Sequence, residues 1–171
     1  SVLRPLRTLD QRGDIEVVRV GCDAEGFIRL DELQTALKKP ARLVAVTHAS
    51  NVTGALQGIE AIGQLAHERG ALVLVDAAQS LGHVPIDVRA DFIDLLAAPG
   101  HKGLLGPLGT GFLYIRPGIE KILKPLREGG TGSFSEDDRQ PEFLPDKYEP
   151  GSHNAIGIAG LSEGVQWVID Q

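Results

Sequence analysis

The sequence predicts an α/β protein of three layers, α/β/α, organised around a mostly parallel sheet. Three observations predict it. Short apolar runs rich in branched residues recur at 42–48, 71–78, 91–98 and 111–115. Segments with apolar residues at helical spacing stand between or beside them. The runs are apolar almost throughout, the pattern of strands covered on both faces.

Taken in order, "IEVVRV" at 15–20 is dominated by β-branched residues and is predicted to be a strand. "LDELQTALKK" carries Leu30, Leu33 and Leu37 at helical spacing and is closed by Pro40. "RLVAVTH" at 42–48 is the second strand. "GIEAIGQLAHERG" sets Ile59, Ile62, Leu65 and Ala66 on one stripe, with Gly70 as its C-terminal stop. "ALVLVDAA" at 71–78, "DFIDLLAA" at 91–98 and "GFLYI" at 111–115 complete the strands. Residues 127–154 are rich in glycine, proline and charge and are predicted to form a long irregular loop. "AIGIAGLSEGVQWVI" reads as a closing helix with Ile156, Leu161, Val165 and Val168 on its buried side.

Bulk properties narrow the functional classes. A chain of 171 residues can bury a sizeable core. Its net charge of -6 argues against a nucleic-acid footprint. No apolar run has the length of a membrane span, and no basic-then-apolar signal opens the chain. Cys22 is the single cysteine, so no internal disulfide can form, which fits a reducing, cytoplasmic setting. The histidines show no metal-ligand spacing, and no G-x-S-x-G elbow is present.

In mostly parallel sheets, ligands bind beyond the carboxyl ends of the strands. Unusual polar residues lie at those ends here. Asp76 follows Val73, Leu74 and Val75. An aspartate there commonly caps a helix, or else holds a cationic ligand group; Gln79 adds a neutral donor in the same turn. Lys102 leaves an apolar run for a loop containing Gly100, Gly103, Gly106 and Gly109. A solvated loop lysine is the ordinary reading. Glycines, however, let backbone or ligand approach closely, and a partly desolvated lysine is a nucleophile towards aldehydes. His101 is either a phosphate donor or a rim residue. The glycine spacing fits neither a P-loop nor a dinucleotide fingerprint.

Together, a rim carboxylate, nearby amides and a lysine in a glycine loop are what a pyridoxal 5'-phosphate site needs. A carboxylate stabilises the protonated pyridine nitrogen. Asn51 and Gln79 can hold the phenolic oxygen, and Lys102 can form the Schiff base and later shuttle a proton.

The segments "THASNVTG", "LVDAAQSLGHVPIDV", "GHKGLLGPLGTGFLYI" and "YEPGSHNAIGIAGL" resemble, in that order, the class V aminotransferase superfamily and within it the cysteine desulfurase and selenocysteine lyase branch. The resemblance runs from Arg42 to about Leu161. It implies Lys102 as the cofactor lysine, Asp76 as partner of the pyridine nitrogen, Asn51 and Gln79 at the ring oxygen, and His101 at the phosphate. It also implies a homodimer in which Ser152, where threonine is usual, reaches a phosphate across the subunit boundary. The implied activity is conversion of L-cysteine, a small amino-acid substrate, to L-alanine with persulfide formation, and a sulfur-acceptor protein is an implied partner.

The sequence departs from the family at Pro99, where a phosphate-binding serine is common in the pattern S-x-H-K. Cys22 lies before the lysine and does not match the family's persulfide cysteine. The resemblance therefore implies that residues 1–171 are a cofactor-binding large domain truncated at both ends, with 127–154 as a loop inside it. Two other readings remain open at this point. One is a class V aminotransferase or kynureninase-like lyase, and the other is a non-catalytic domain that keeps the fold for partner binding.

Overall fold

The computed structural model describes residues 2–134 and 136–171. Helix α1 (Leu3–Gln11) leads into an extended segment and then α2 (Leu30–Ala36). Strand β1 (Leu43–Thr47), helix α3 (Ile59–His67), strand β2 (Leu72–Asp76) and strand β3 (Leu95–Pro99) follow. Strand β4 (Gly111–Ile115), a short 3-10 helix (Ile119–Lys121) and helix α4 (Ala155–Ile169) complete the chain.

The sheet has four strands in the order β1-β2-β3-β4. The first three run parallel, and β4 returns antiparallel to β3. Helix α3 forms because Ile59, Ile62 and Ala66 fall on one face and are buried together. Beyond it Gly70 sits at φ +72, the left-handed conformation that ends helices and that glycine adopts without strain. That buried face of α3, with Leu33 of α2 and Leu37 just after it, packs against Val46, Val73, Val75, Leu96 and Ala98 of the sheet. Each of the Val, Leu and Ile side chains among them contributes roughly 1.5–3 kcal/mol on leaving water.

At the amino end of the strands a buried carboxylate ties four elements together. Asp94, 0% exposed, accepts at Oδ2 from the Val73 amide at 2.7 Å and lies 2.8 Å from His67 Nε2. Its Oδ1 accepts from Arg116 Nε at 2.5 Å. Its backbone continues the ladder, from Asp94 N to Val73 O and from Arg116 N to Asp94 O. The end of α3, the start of β2, the entry to β3 and the exit of β4 thus meet on one side chain. Burial alone would raise this carboxyl's pKa, but hydrogen bonds from His67, the Val73 amide and Arg116 outweigh it and hold the group below the usual aspartate range.

Three expectations change. Residues 15–20 form no strand; the Val17 amide donates to the Asp10 carboxylate at 3.1 Å, and Val18 is exposed. Branched residues favour extended backbone, but a strand exists only beside a partner. The run at 91–98 begins as a turn, with Phe92 at φ 55, and becomes strand only at Leu95. In α4, Ile156 lies outward at 89% exposure, while Leu161, Val165 and Val168 are half-buried as expected. The irregular stretch at 127–154 contains no helix or strand among the described residues. It is anchored instead by Lys147, whose Nζ donates to Glu120 O at 2.9 Å and Glu142 Oε2 at 2.6 Å.

Candidate active site

The parallel register places three strand ends on one sheet edge. Thr47 pairs with Asp76, and Asp76 pairs with Ala97. The loops after β1, β2 and β3 therefore leave the sheet side by side, where an α/β sheet binds ligands. Five of the six residues singled out from the sequence, Asn51, Asp76, Gln79, His101 and Lys102, lie on or just beyond these ends.

After β1 the chain closes a tight loop. Ser50 N donates to Ala55 O at 2.9 Å, and Ser50 Oγ accepts from the amides of Val52 and Thr53 at 3.2 Å. Serine makes such local bonds readily, and here they leave Asn51 exposed at the tip. His48, just before it, is buried, with Nδ1 lacking a hydrogen-bond partner among the described residues. Burial pushes its pKa down, opposed by the Asp91 carboxylate. A neutral, sequestered imidazole results.

Asp76 ends β2 half-buried, and its Oδ1 accepts from the Ala78 amide at 3.0 Å. The chain then coils through one compact turn. Leu81 N donates to Ala77 O at 3.0 Å, and His83 N and Val84 N both donate to Ser80 O at 2.9 Å. Gln79 lies half-buried in that turn, and Ser80 is wholly buried. Asp76 thus holds its own following loop.

The segment from β3 to β4 is a closed hairpin. Gly100 N donates to Thr110 O at 2.8 Å, Gly106 N to Gly100 O at 2.8 Å, and Leu105 N to Lys102 O at 2.9 Å. Leu161 of α4 rests on it, its Cδ1 lying 2.7 Å from where a Cβ on Gly106 would stand. A side chain at Gly106 would make Leu161 shift and would crowd the Gly100 carbonyl and the α4 backbone at 3.1 Å. His101 and Lys102 are exposed. Partial shelter was expected for Lys102, whereas in this chain its side chain stands in the open. Pro99, at the end of β3, pairs with Gly111.

Ser152 stands apart from these five. It is exposed in the approach to α4, two residues before Asn154, whose side chain caps that helix by accepting from Gly157 N at 3.0 Å. Among the described residues no hydrogen bond joins Ser152 to the strand-end groups. Cys22 is exposed too, and bridges to Ile28 ahead of α2, not at the strand ends. Sequence reasoning missed the supporting contacts of Leu161 and of Gly82, which touches Gly103. A lone glycine in "SLGH" was the only sign of the second.

Comparison with known proteins adds family context. The chain is 44% identical over 167 residues to a probable cysteine desulfurase of Methanothermobacter thermautotrophicus, covering 96% of this chain and 41% of that protein. A cysteine desulfurase of Shigella sonnei is 36% identical over 168 residues, with 96% and 41% covered. Among solved structures, the cysteine desulfurase of Thermococcus onnurineus superposes with a TM-score of 0.89 at 34% identity, covering 99% of this chain and 42% of that one. One from Escherichia coli gives 0.88 at 33% identity, covering 99% and 43%. The chain thus spans about two fifths of the length of the relatives it matches. The family model described as aminotransferase class-V matches residues 1–171, and the chain belongs to that family.

Proposed function

We propose that this chain holds pyridoxal 5'-phosphate for a cysteine desulfurase, an enzyme that converts L-cysteine to L-alanine and passes the sulfur to a thiol as a persulfide. The observation that carries the reading is the register of β1, β2 and β3, which aligns the exits bearing Asn51, Asp76 and Lys102. That donor set fits the cofactor: a carboxylate for a ring nitrogen, amides for a phenolic oxygen, and an amine for an aldehyde. The resemblance of the whole chain to proteins named cysteine desulfurase supports the reaction type.

When bound, the cofactor supplies an electron sink for the pair released at the substrate's α-carbon. The chain's residues do the rest. Lys102 would hold the cofactor at its aldehyde, and its amine would be the group that moves the proton at the substrate's α-carbon. Asp76 keeps a proton on the ring nitrogen by opposing its charge. Asn51 and Gln79 orient the ring through its phenolic oxygen. His101 holds the phosphate, and Ser152 holds that of a second copy in a homodimer. Cys22 is not part of this edge, so the persulfide thiol lies elsewhere in the enzyme. Residues 1–171 serve as its cofactor domain, with 127–154 as an internal loop, in the cytoplasm, delivering sulfur to an acceptor protein.

The test is direct. Pyridoxal phosphate added to the full-length protein should give a long-wavelength absorbance band that borohydride fixes onto Lys102. With a dithiol reductant added to release the persulfide sulfur, alanine and sulfide should then appear from L-cysteine without any keto acid. A Lys102→Ala protein that retains the fixed adduct would remove the lysine assignment, and turnover requiring a keto acid would mean transamination.

A further inference from the structure

The compact turn after Asp76 touches the lysine hairpin backbone to backbone. A Cβ built on Gly82 would collide with the Gly103 carbonyl, and one built on Gly103 would collide with the Leu81 carbonyl. Gly82 is also at φ +86, where a side chain is strained in any case. Beside this contact, His83 Nε2 lies 3.0 Å from the Cβ position of Gly103. Only the absence of side chains at both positions allows so close an approach.

Both partners are stiff. The turn is closed by the hydrogen bonds of Leu81, His83 and Val84 onto Ala77 and Ser80, and Ser80 is 0% exposed. The hairpin is closed across Gly100, Gly106 and Thr110. Two rigid pieces in peptide-to-peptide contact have no rotamers with which to absorb a displacement. One piece starts beside Asp76 and carries Gln79; the other carries Lys102 immediately before Gly103.

We infer that Gly82 and Gly103 are positioning residues whose contact sets where the Lys102 amine stands relative to Asp76 and Gln79. The inference rests on the cofactor reading above. Gly103 acts through Lys102 and needs no contact with cofactor. Adding one methyl at Gly103 must push the hairpin away from the turn, carrying Lys102 with it. The carboxylate and the amide stay where β2 and its turn hold them.

The experiment separates these effects in the full-length protein. One measurement is the rate at which Lys102 becomes borohydride-trappable after pyridoxal phosphate is added. The other is the affinity for 4'-deoxypyridoxine 5'-phosphate, which has the ring, phenol and phosphate but no aldehyde. In Gly103→Ala the trapping rate should fall about tenfold or more, since misplacing a reacting group by about 1 Å can cost a hundredfold. Affinity for the deoxy analogue should fall less than the trapping rate, because Asp76, Asn51 and Gln79 stay in place and only His101 moves with the hairpin. Trapping at the wild-type rate, or equal losses in both measurements, overturns the inference. If Gly103→Ala fails to fold, His83→Ala carries the same test by removing the ring packed at Gly103 without adding an atom. It should show the same split to a smaller extent, and no split overturns the inference. A wild-type protein that never traps the cofactor removes the underlying reading and this inference together, whereas a wild type that traps normally leaves the variants to decide the inference alone.

Discussion

Replacing Asp94 by alanine should be among the most destabilising changes at the amino end of the sheet. The carboxylate is wholly buried and takes the Val73 amide, His67 Nε2 and Arg116 Nε. Its removal leaves a buried amide unpaired, which costs about 1–3 kcal/mol, and leaves Arg116 and His67 without their anion. Arg116 and His67 keep 46% and 31% of their side chains exposed, so water takes over their charges and the broken pairs add little. About 1–3 kcal/mol is therefore the working figure for the whole change. For a chain of this size that lowers Tm by roughly 2–12 °C. Calorimetry of wild type and Asp94→Ala at neutral pH measures it.

The pH dependence supplies a sharper check on the same carboxylate. Its folded-state pKa lies below the ordinary aspartate value of 3.8. Its contribution is therefore present above about that pH and is lost as pH falls through the lower folded value. The gap in Tm between wild type and Asp94→Asn should be constant near neutrality and should narrow below pH 3.8. A Tm for Asp94→Ala within a degree or so of wild type, or a gap that widens in acid, would refute the proposed clasp.

Two further outcomes are expected. His48 is neutral because burial lowers its pKa from 6.5; its imidazole should titrate below that value by NMR, and the unfolded chain then binds the proton first. Stability should therefore fall as pH drops through 6.5 and level off below the folded value, and His48→Gln should abolish that slope. Lys147 is held charged by its hydrogen bond to Glu142, which raises its pKa above 10.5. Its anchoring should persist below that pH and fail as pH rises through the raised value. Lys147→Met should expose the 127–154 stretch to protease several-fold faster at neutral pH while leaving cleavage elsewhere unchanged.

Much of this was legible in the residues because it is local. The runs around Val46, Val75 and Leu96 announced strands by being apolar throughout, and Gly70 marked where the intervening helix had to stop. Asp76 and Lys102 drew notice as polar groups at the ends of such runs. What stayed hidden depends on partners distant in the chain. Val17, Val18 and Val20 favour a strand, yet no composition reveals that Asp10 takes the Val17 amide or that no neighbouring strand is present among the described residues. Helix α1 carries Leu3, Leu6 and Leu9 on one stripe, but Pro5 lies inside it and none of its residues is buried, so it was not picked out. Lys102 could be picked out by chemistry, but its exposure depends on what surrounds the hairpin. Nothing in "SLGH" says that Gly82 will meet Gly103.

The direction of β4 has a consequence for motion. Because the chain doubles back at once and Pro99 lies opposite Gly111, both ends of the peptide bearing Lys102 are stitched into neighbouring rungs of one ladder. A segment tethered so cannot swing like a lid. On the proposed function, travel of the Lys102 amine would come from rotation about its own methylene chain, on the nanosecond scale of exposed side chains, and would not be the slow event of the cycle.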